Sequence, residues 1–143
     1  MTSGANDPAA IIRRLIEATN RRDLTSMVAC FAPDYRNETP VHPARGFVGR
    51  EQVRRNWEQL FGGIPDLHGT VTARAVAPDG VWTEWEMRGT RRDGVVHLMR
   101  GVVIFAVTGA EIAAARFYLE PVDVDTGGVD AAIDRLVPTE DAR

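Results

Sequence analysis

The amino-acid sequence predicts an α+β fold: a curved antiparallel sheet, a cone or half-barrel, wrapped on three N-terminal helices and enclosing a pocket. Three observations carry this expectation. Apolar residues recur at helical spacing as far as Phe61. From Leu67 the period changes to two. Three short turn signals, Pro78-Asp79-Gly80, Arg92-Asp93-Gly94 and Thr108-Gly109-Ala110, then cut the second half into four strands that follow one another as an antiparallel meander.

Taken in order, Asp7-Pro8 reads as a helix start, because the carboxylate accepts orphan N–H groups and proline fits the first turn. Ile11, Ile12, Leu15 and Ile16 follow at helical spacing until Asn20 to Asp23 interrupts them. Asp23 can cap a second helix with Leu24, Met27, Val28 and Phe31 on one face, stopped by Pro33-Asp34. Tyr35 to Glu38 is short and extended, and Thr39 to Val48, with Pro40, Pro43 and Gly46, is a loop by composition. A third helix starts at Arg50, carries Val53, Trp57, Leu60 and Phe61 on one side, and ends at Gly62-Gly63. The strands are Leu67 to Ala77, Val81 to Thr90, Val95 to Val107 and Glu111 to Glu120, and the turns between them are expected to hold three residues each. Gly127-Gly128 leads into a short helix bearing Val129, Ile133 and Leu136, closed by Pro138.

Size and charge narrow the function. At 143 residues, 44% hydrophobic and 26% charged, the chain has material for one domain. We divide it into a flexible segment 1–7, a domain over 8–123 and a C-terminal extension over 124–143. Seventeen Lys+Arg against twenty Asp+Glu leave a net charge of −3, which offers no positive field to nucleic acid or to an anionic membrane. Cys30, the single cysteine, lies in an apolar stretch and has no partner for a disulfide. Met1 to Ala10 lacks the pattern of a signal peptide, and the apolar run Gly101 to Val107 is too short to span a bilayer, so a cytoplasmic location is expected.

Alternation divides the strands into two sets. Thr83, Trp85, Met87, His97, Met99, Gly101, Val103, Phe105, Ala113, Ala115, Phe117 and Leu119 are almost wholly apolar and are expected to face the helices. Trp82, Glu84, Glu86, Arg88, Leu98, Arg100, Val102, Ile104, Arg116, Tyr118 and Glu120 mix charge with apolar groups and are expected on the outer face. Three-residue turns set Arg74 against Glu84 and Glu86 against Arg100, both of opposite charge. The apolar members of the outer set, Trp82, Leu98, Val102, Ile104 and Tyr118, suggest a homodimer that covers this face.

The element order, with the stretches 'GREQVRRNWEQLF', 'PDLHGTV', 'EWEMRGTRRDG' and 'MRGVVIFAVTGAEIAAARFYLEPVD', resembles the SnoaL-like branch of the nuclear transport factor 2-like superfamily. The resemblance spans roughly Pro8 to Asp123. It implies a cone fold with a recurrent cavity, shared by polyketide cyclases, isomerases, epoxide hydrolases and non-catalytic binders. Catalytic sets known in related enzymes do not carry over. Where ketosteroid isomerase has its base, oxyanion-hole aspartate and tyrosine, this chain has Thr39, Val103 and Leu15. Where limonene epoxide hydrolase has its arginine and two aspartates, it has Trp85, Met87 and Phe117.

By that resemblance Thr39, Trp57, Phe61, Thr83, Trp85, Met87, Met99, Val103, Phe117 and Leu119 line a pocket, although the same side chains could simply fill a core. Glu38, His42 and His97 are the polar groups able to move a proton there. Glu38 and Thr39 point opposite ways, so one faces inward and the other outward. Nothing resembles paired Cys/His metal spacing, and neither a metal nor another cofactor is expected. The expected ligand is a hydrophobic small molecule. Two functions remain open: a cofactor-free acid/base enzyme acting on a polyketide-like or carbonyl substrate, and a non-catalytic ligand-binding or dimerisation module.

Overall fold

Asp7 caps the first helix by accepting the Ala9 amide at 3.0 Å, and the chain continues as α1 (Pro8–Arg21), which buries Ile11, Ile12, Leu15 and Ala18. The computed structural model describes residues 7–124 and 127–137. The expected flexible N-terminus, apart from Asp7, and the closing Pro138 lie outside the described residues. Arg22 ends α1 in a left-handed conformation, φ 57°. Asp23 then accepts both the amide and the hydroxyl of Ser26, which starts α2 (Leu24–Val28).

The second helix is shorter than its apolar spacing suggested. Phe31 belongs to β1 (Phe31–Glu38), whose Phe31, Ala32 and Tyr35 are buried; the helix stops before it and the strand begins upstream of Pro33. The loop that follows holds one tight helical turn at Pro43–Arg45 and a two-residue strand, β2 (Phe47–Val48). Next come α3 (Arg50–Gly63), β3 (His68–Ala77), β4 (Gly80–Thr90), β5 (Val96–Thr108), β6 (Glu111–Pro121) and α4 (Val129–Leu136).

The six strands form one open sheet in the order β2-β1-β6-β5-β4-β3. The meander β3 to β6 is antiparallel throughout, but β1 runs parallel to β6, so the sheet is mixed. Alternation on β4 decides the faces: Val81, Thr83, Trp85 and Met87 are buried, while Trp82, Glu84 and Arg88 are exposed. The apolar set packs with the helices in one core, and the ionic set lies on the far side. Gly101 on β5 has φ +153°, which suits glycine, and a Cβ there would collide with the Tyr118 carbonyl.

Register departs from expectation at two turns. Only Arg92-Asp93-Gly94 forms the three-residue turn, with the Arg91 amide donating to the Val95 carbonyl at 2.9 Å and Glu86 opposite Arg100. Ala77 pairs with Gly80 and Thr108 with Glu111, which leaves two-residue turns. Arg74 therefore faces Thr83, and Glu84 sits opposite Ala73, beside a bulge at Thr72 whose hydroxyl donates to the Glu84 carboxylate at 2.7 Å. A second bulge at Ala113 brings Ile112 into the core in its place.

Candidate functional site

A partly open cavity of about 60 Å³ lies between the helices and the inner sheet face. Of the expected lining residues, Trp57, Trp85, Met87, Val103, Phe117 and Leu119 border it. So do Leu15, Thr19, Met27, Phe31 and Phe105, which the sequence reading had not assigned to a pocket. Leu15 and Met27 lay on apolar helical faces and Phe105 in the apolar strand set, so their signal was burial. Nothing in the sequence separated a cavity wall from a core wall. Phe61 and Met99 pack against the core without bordering the cavity, and Thr83 is buried behind Trp85.

Two of the polar side-chain groups at this cavity, on Thr19 and Trp85, are already used. Thr19 Oγ1 donates to the Leu15 carbonyl at 2.7 Å, satisfying its hydroxyl within α1. Trp85 Nε1 donates to Thr83 Oγ1 at 2.7 Å, and Thr83 Oγ1 donates to the Val103 carbonyl at 2.6 Å. The walls carry no ionisable side chain, so the cavity presents hydrocarbon, aromatic faces and thioether sulfur to an occupant.

The three proton-moving candidates stand elsewhere. Tyr35 and Asn37 on β1 and Thr39 just past its end share one parity, linked by Tyr35 Oη donating to Asn37 Oδ1 at 2.7 Å and Asn37 Nδ2 donating to Thr39 Oγ1 at 3.5 Å. Glu38, of opposite parity, is exposed beside Arg36 and does not border the cavity. Thr39 is half-buried but is not among the residues bordering the cavity. His42 is also diverted: its Nε2 lies 3.0 Å from both carboxylate oxygens of Glu120, on the outer parity of β6. His97 lies on the inner parity of β5, half-buried, opposite Gly89 and outside the cavity wall.

Tyr35, which the sequence reading passed over, is the most deeply buried ionisable group near this side. Phe31 and Phe47 pack edge-on against it, and burial pushes its phenol above the ordinary range, so it stays a neutral hydrogen-bond donor.

On the outer face Arg100 Nε donates to Glu86 at 3.0 Å and Arg88 Nε approaches it at 3.5 Å. The Arg100 hydrogen bond holds the Glu86 carboxyl below its usual range. Glu120 lies opposite Arg100, so a polar row runs from His42 through Glu120 and Arg100 to Glu86. Beside that row Trp82 is 40% and Tyr118 37% exposed, Val102 is half-buried and Ile104 is buried between them. A wide groove of about 530 Å³ follows β3 from His68 to Arg74 beside Ile16, open to solvent along its length. Among the described residues no three His, Cys, Asp or Glu side chains gather closely enough to hold a metal ion. No helix among them is long and apolar enough to cross a membrane.

The fold is shared with solved proteins. A hypothetical protein with a ketosteroid isomerase-like fold from Catenulispora acidiphila, in complex with trimethylamine, superposes with a TM-score of 0.66 at 20% identity, over 76% of this chain and 84% of that one. The protein Rv0760c of Mycobacterium tuberculosis, in complex with estradiol-17β-hemisuccinate, gives 0.67 at 18% identity, over 78% and 92%. A loop truncation variant of IdmH gives 0.67 at 25% identity, over 80% and 93%. No curated protein matches the sequence. The SnoaL-like domain model matches residues 12–115, which hold the helices, the cavity and most of the sheet just described, and the chain belongs to that family.

Proposed function

We propose that this chain binds a hydrophobic small molecule between its helices and the inner sheet face, in a site suited to holding a ligand rather than to acid/base turnover. The observation that carries this reading is the apolar wall, which holds no ionisable side chain and whose Thr19 hydroxyl and Trp85 indole N–H are both hydrogen-bonded within the protein. Two fold relatives hold small molecules in their structures, which supports a ligand role for this scaffold. Pockets for small organic ligands usually measure about 300 Å³ or more, so an occupant larger than the present 60 Å³ must displace side chains. Trp57 and Phe61 are the natural ones to move: both are half-exposed on α3, with rings 5.5 Å apart. The binding unit runs over residues 8–123, and the lone buried Cys30, with no second thiol, suits a reducing compartment such as the cytoplasm.

A thermal-shift panel of steroids, aromatic polyketides and monoaromatic hydrocarbons tests the reading on the parent, Trp57→Ala and Phe117→Trp. Members of the panel should raise the parent's melting temperature, raise that of Trp57→Ala further, and leave Phe117→Trp, where the cavity is filled, unmoved. A panel that shifts neither the parent nor Trp57→Ala removes the reading.

An enzymatic reading rests on His97, which is half-buried on the inner face with no hydrogen-bond partner among the described residues. A neutral imidazole placed there could move a proton on a carbonyl substrate reaching past the cavity. Ligands that stabilise His97→Ala as much as the parent would count against it. The exposed Trp82 and Tyr118 support a homodimer paired through the outer sheet face.

A further inference from the structure

The eight-residue helix α4 is too short to be stable on its own, since isolated helices below about 12 residues are marginal in water and depend on packing an apolar face. That face exists and is uncovered. Val129, Ile133 and Leu136 recur along one stripe and are 73%, 50% and 76% exposed. The same chain has a second uncovered apolar surface, the outer-face patch of Trp82, Val102 and Tyr118.

The two borders offer one charge match, at Arg116 on the β6 side of the patch, while Glu84 lies on its β4 side opposite Val102. Asp130 and Asp134, one turn apart, flank the helical stripe, and neither has an ion-pair partner among the described residues. Arg116 on β6 flanks the sheet patch, opposite Ile104 and two residues from Tyr118, and it too has no ion-pair partner among them. We propose that α4 of a second copy of this chain docks on the Trp82, Val102 and Tyr118 patch, with its Asp130 and Asp134 facing Arg116. A two-fold arrangement then covers both helices and both sheets and closes without leaving an open end. The proposal rests on the reading that the outer face pairs two copies, and it adds the element that fills the interface.

Light scattering on the eluting full chain tests this with three variants: Ile133→Asp, Arg116→Asp, and Asp130→Arg with Asp134→Arg. The parent should be a dimer, and Ile133→Asp should weaken it roughly tenfold or more, with an unchanged melting curve measured below the dissociation range. Each charge reversal should weaken the dimer, and the triple combination should restore it. If the parent is a dimer that Ile133→Asp leaves intact, the helix exchange is wrong while sheet-to-sheet pairing stands. If the parent is a monomer, both are wrong, including the case in which α4 folds back onto its own sheet.

Discussion

Trp85 reaches back along its own strand to donate its indole N–H to Thr83, and Thr83 passes a hydrogen on to the carbonyl of Val103 across the sheet, at 2.7 and 2.6 Å. Both side chains are buried, Thr83 at 2% exposure and Trp85 at 6%. This relay explains how a tryptophan can border an apolar cavity without presenting a polar atom to it.

Thr83→Val keeps the shape of the side chain and removes the relay. The indole N–H is then buried without an acceptor, a loss of about 1–3 kcal/mol. Urea unfolding should show the midpoint falling with an unchanged slope. A midpoint equal to the parent's would mean that the indole finds another acceptor.

Glu86 gives a pH signature. Its carboxyl is held below the ordinary value of 4.5, first by the Arg100 hydrogen bond and then by the charges of Arg88 and Arg100. A depressed folded value stabilises the native state above the unfolded value, and that contribution disappears as pH falls through the folded one. The melting-temperature gap between the parent and Glu86→Gln should therefore be constant near neutrality and shrink below about pH 4.5. A gap that grows on acidification would contradict the assigned direction.

Gly101→Ala tests the close approach of β5 to β6. The substitution forces an L side chain into φ +153° and drives its Cβ into the backbone at Tyr118, which cannot yield as a flexible side chain would. Strain of this kind costs about 1–3 kcal/mol before any clash is counted. A soluble variant with a greatly lowered melting temperature, or none recovered folded, is expected. Parent-like melting would show that the backbone at Tyr118 gives way without cost.

These tests fall on features of differing visibility in the sequence. Strand parity was legible because Thr83, Trp85 and Met87 alternate with Trp82, Glu84 and Glu86, and only one of those sets can be buried. The ends of α1 and α3 were legible through Asp7-Pro8 and Gly62-Gly63. The register between β3 and β4 was not, because Pro78-Asp79-Gly80 suits a two- or a three-residue turn and the Thr72 bulge leaves no periodic trace. Nor could parity alone choose between Glu38 and Thr39, since β1 is short and its parallel partner, β6, lies far along the chain. The contact of His42 with Glu120 was not legible for a related reason: the two are 78 residues apart, and Glu120 lies on β6, the parallel partner of β1.

Asn20 offers a prediction about the open edge of the sheet. Its side-chain amide donates to the Gly69 carbonyl at 2.9 Å and accepts the Gly69 amide at 2.8 Å, so it pairs with the start of β3 as a neighbouring strand would. β3 is an outermost strand, and an unpaired edge invites association with other chains. Asn20→Ala leaves both groups of Gly69 unpaired and should cost about 1–2 kcal/mol. Asn20→Asp keeps an acceptor for the amide but sets a carboxylate against the carbonyl, so it should destabilise as well. Hydrogen exchange separates the two variants: the Gly69 amide should exchange fast in Asn20→Ala and remain protected in Asn20→Asp. Equal protection in both would mean that Gly69 is shielded by α1 packing and not by this side chain.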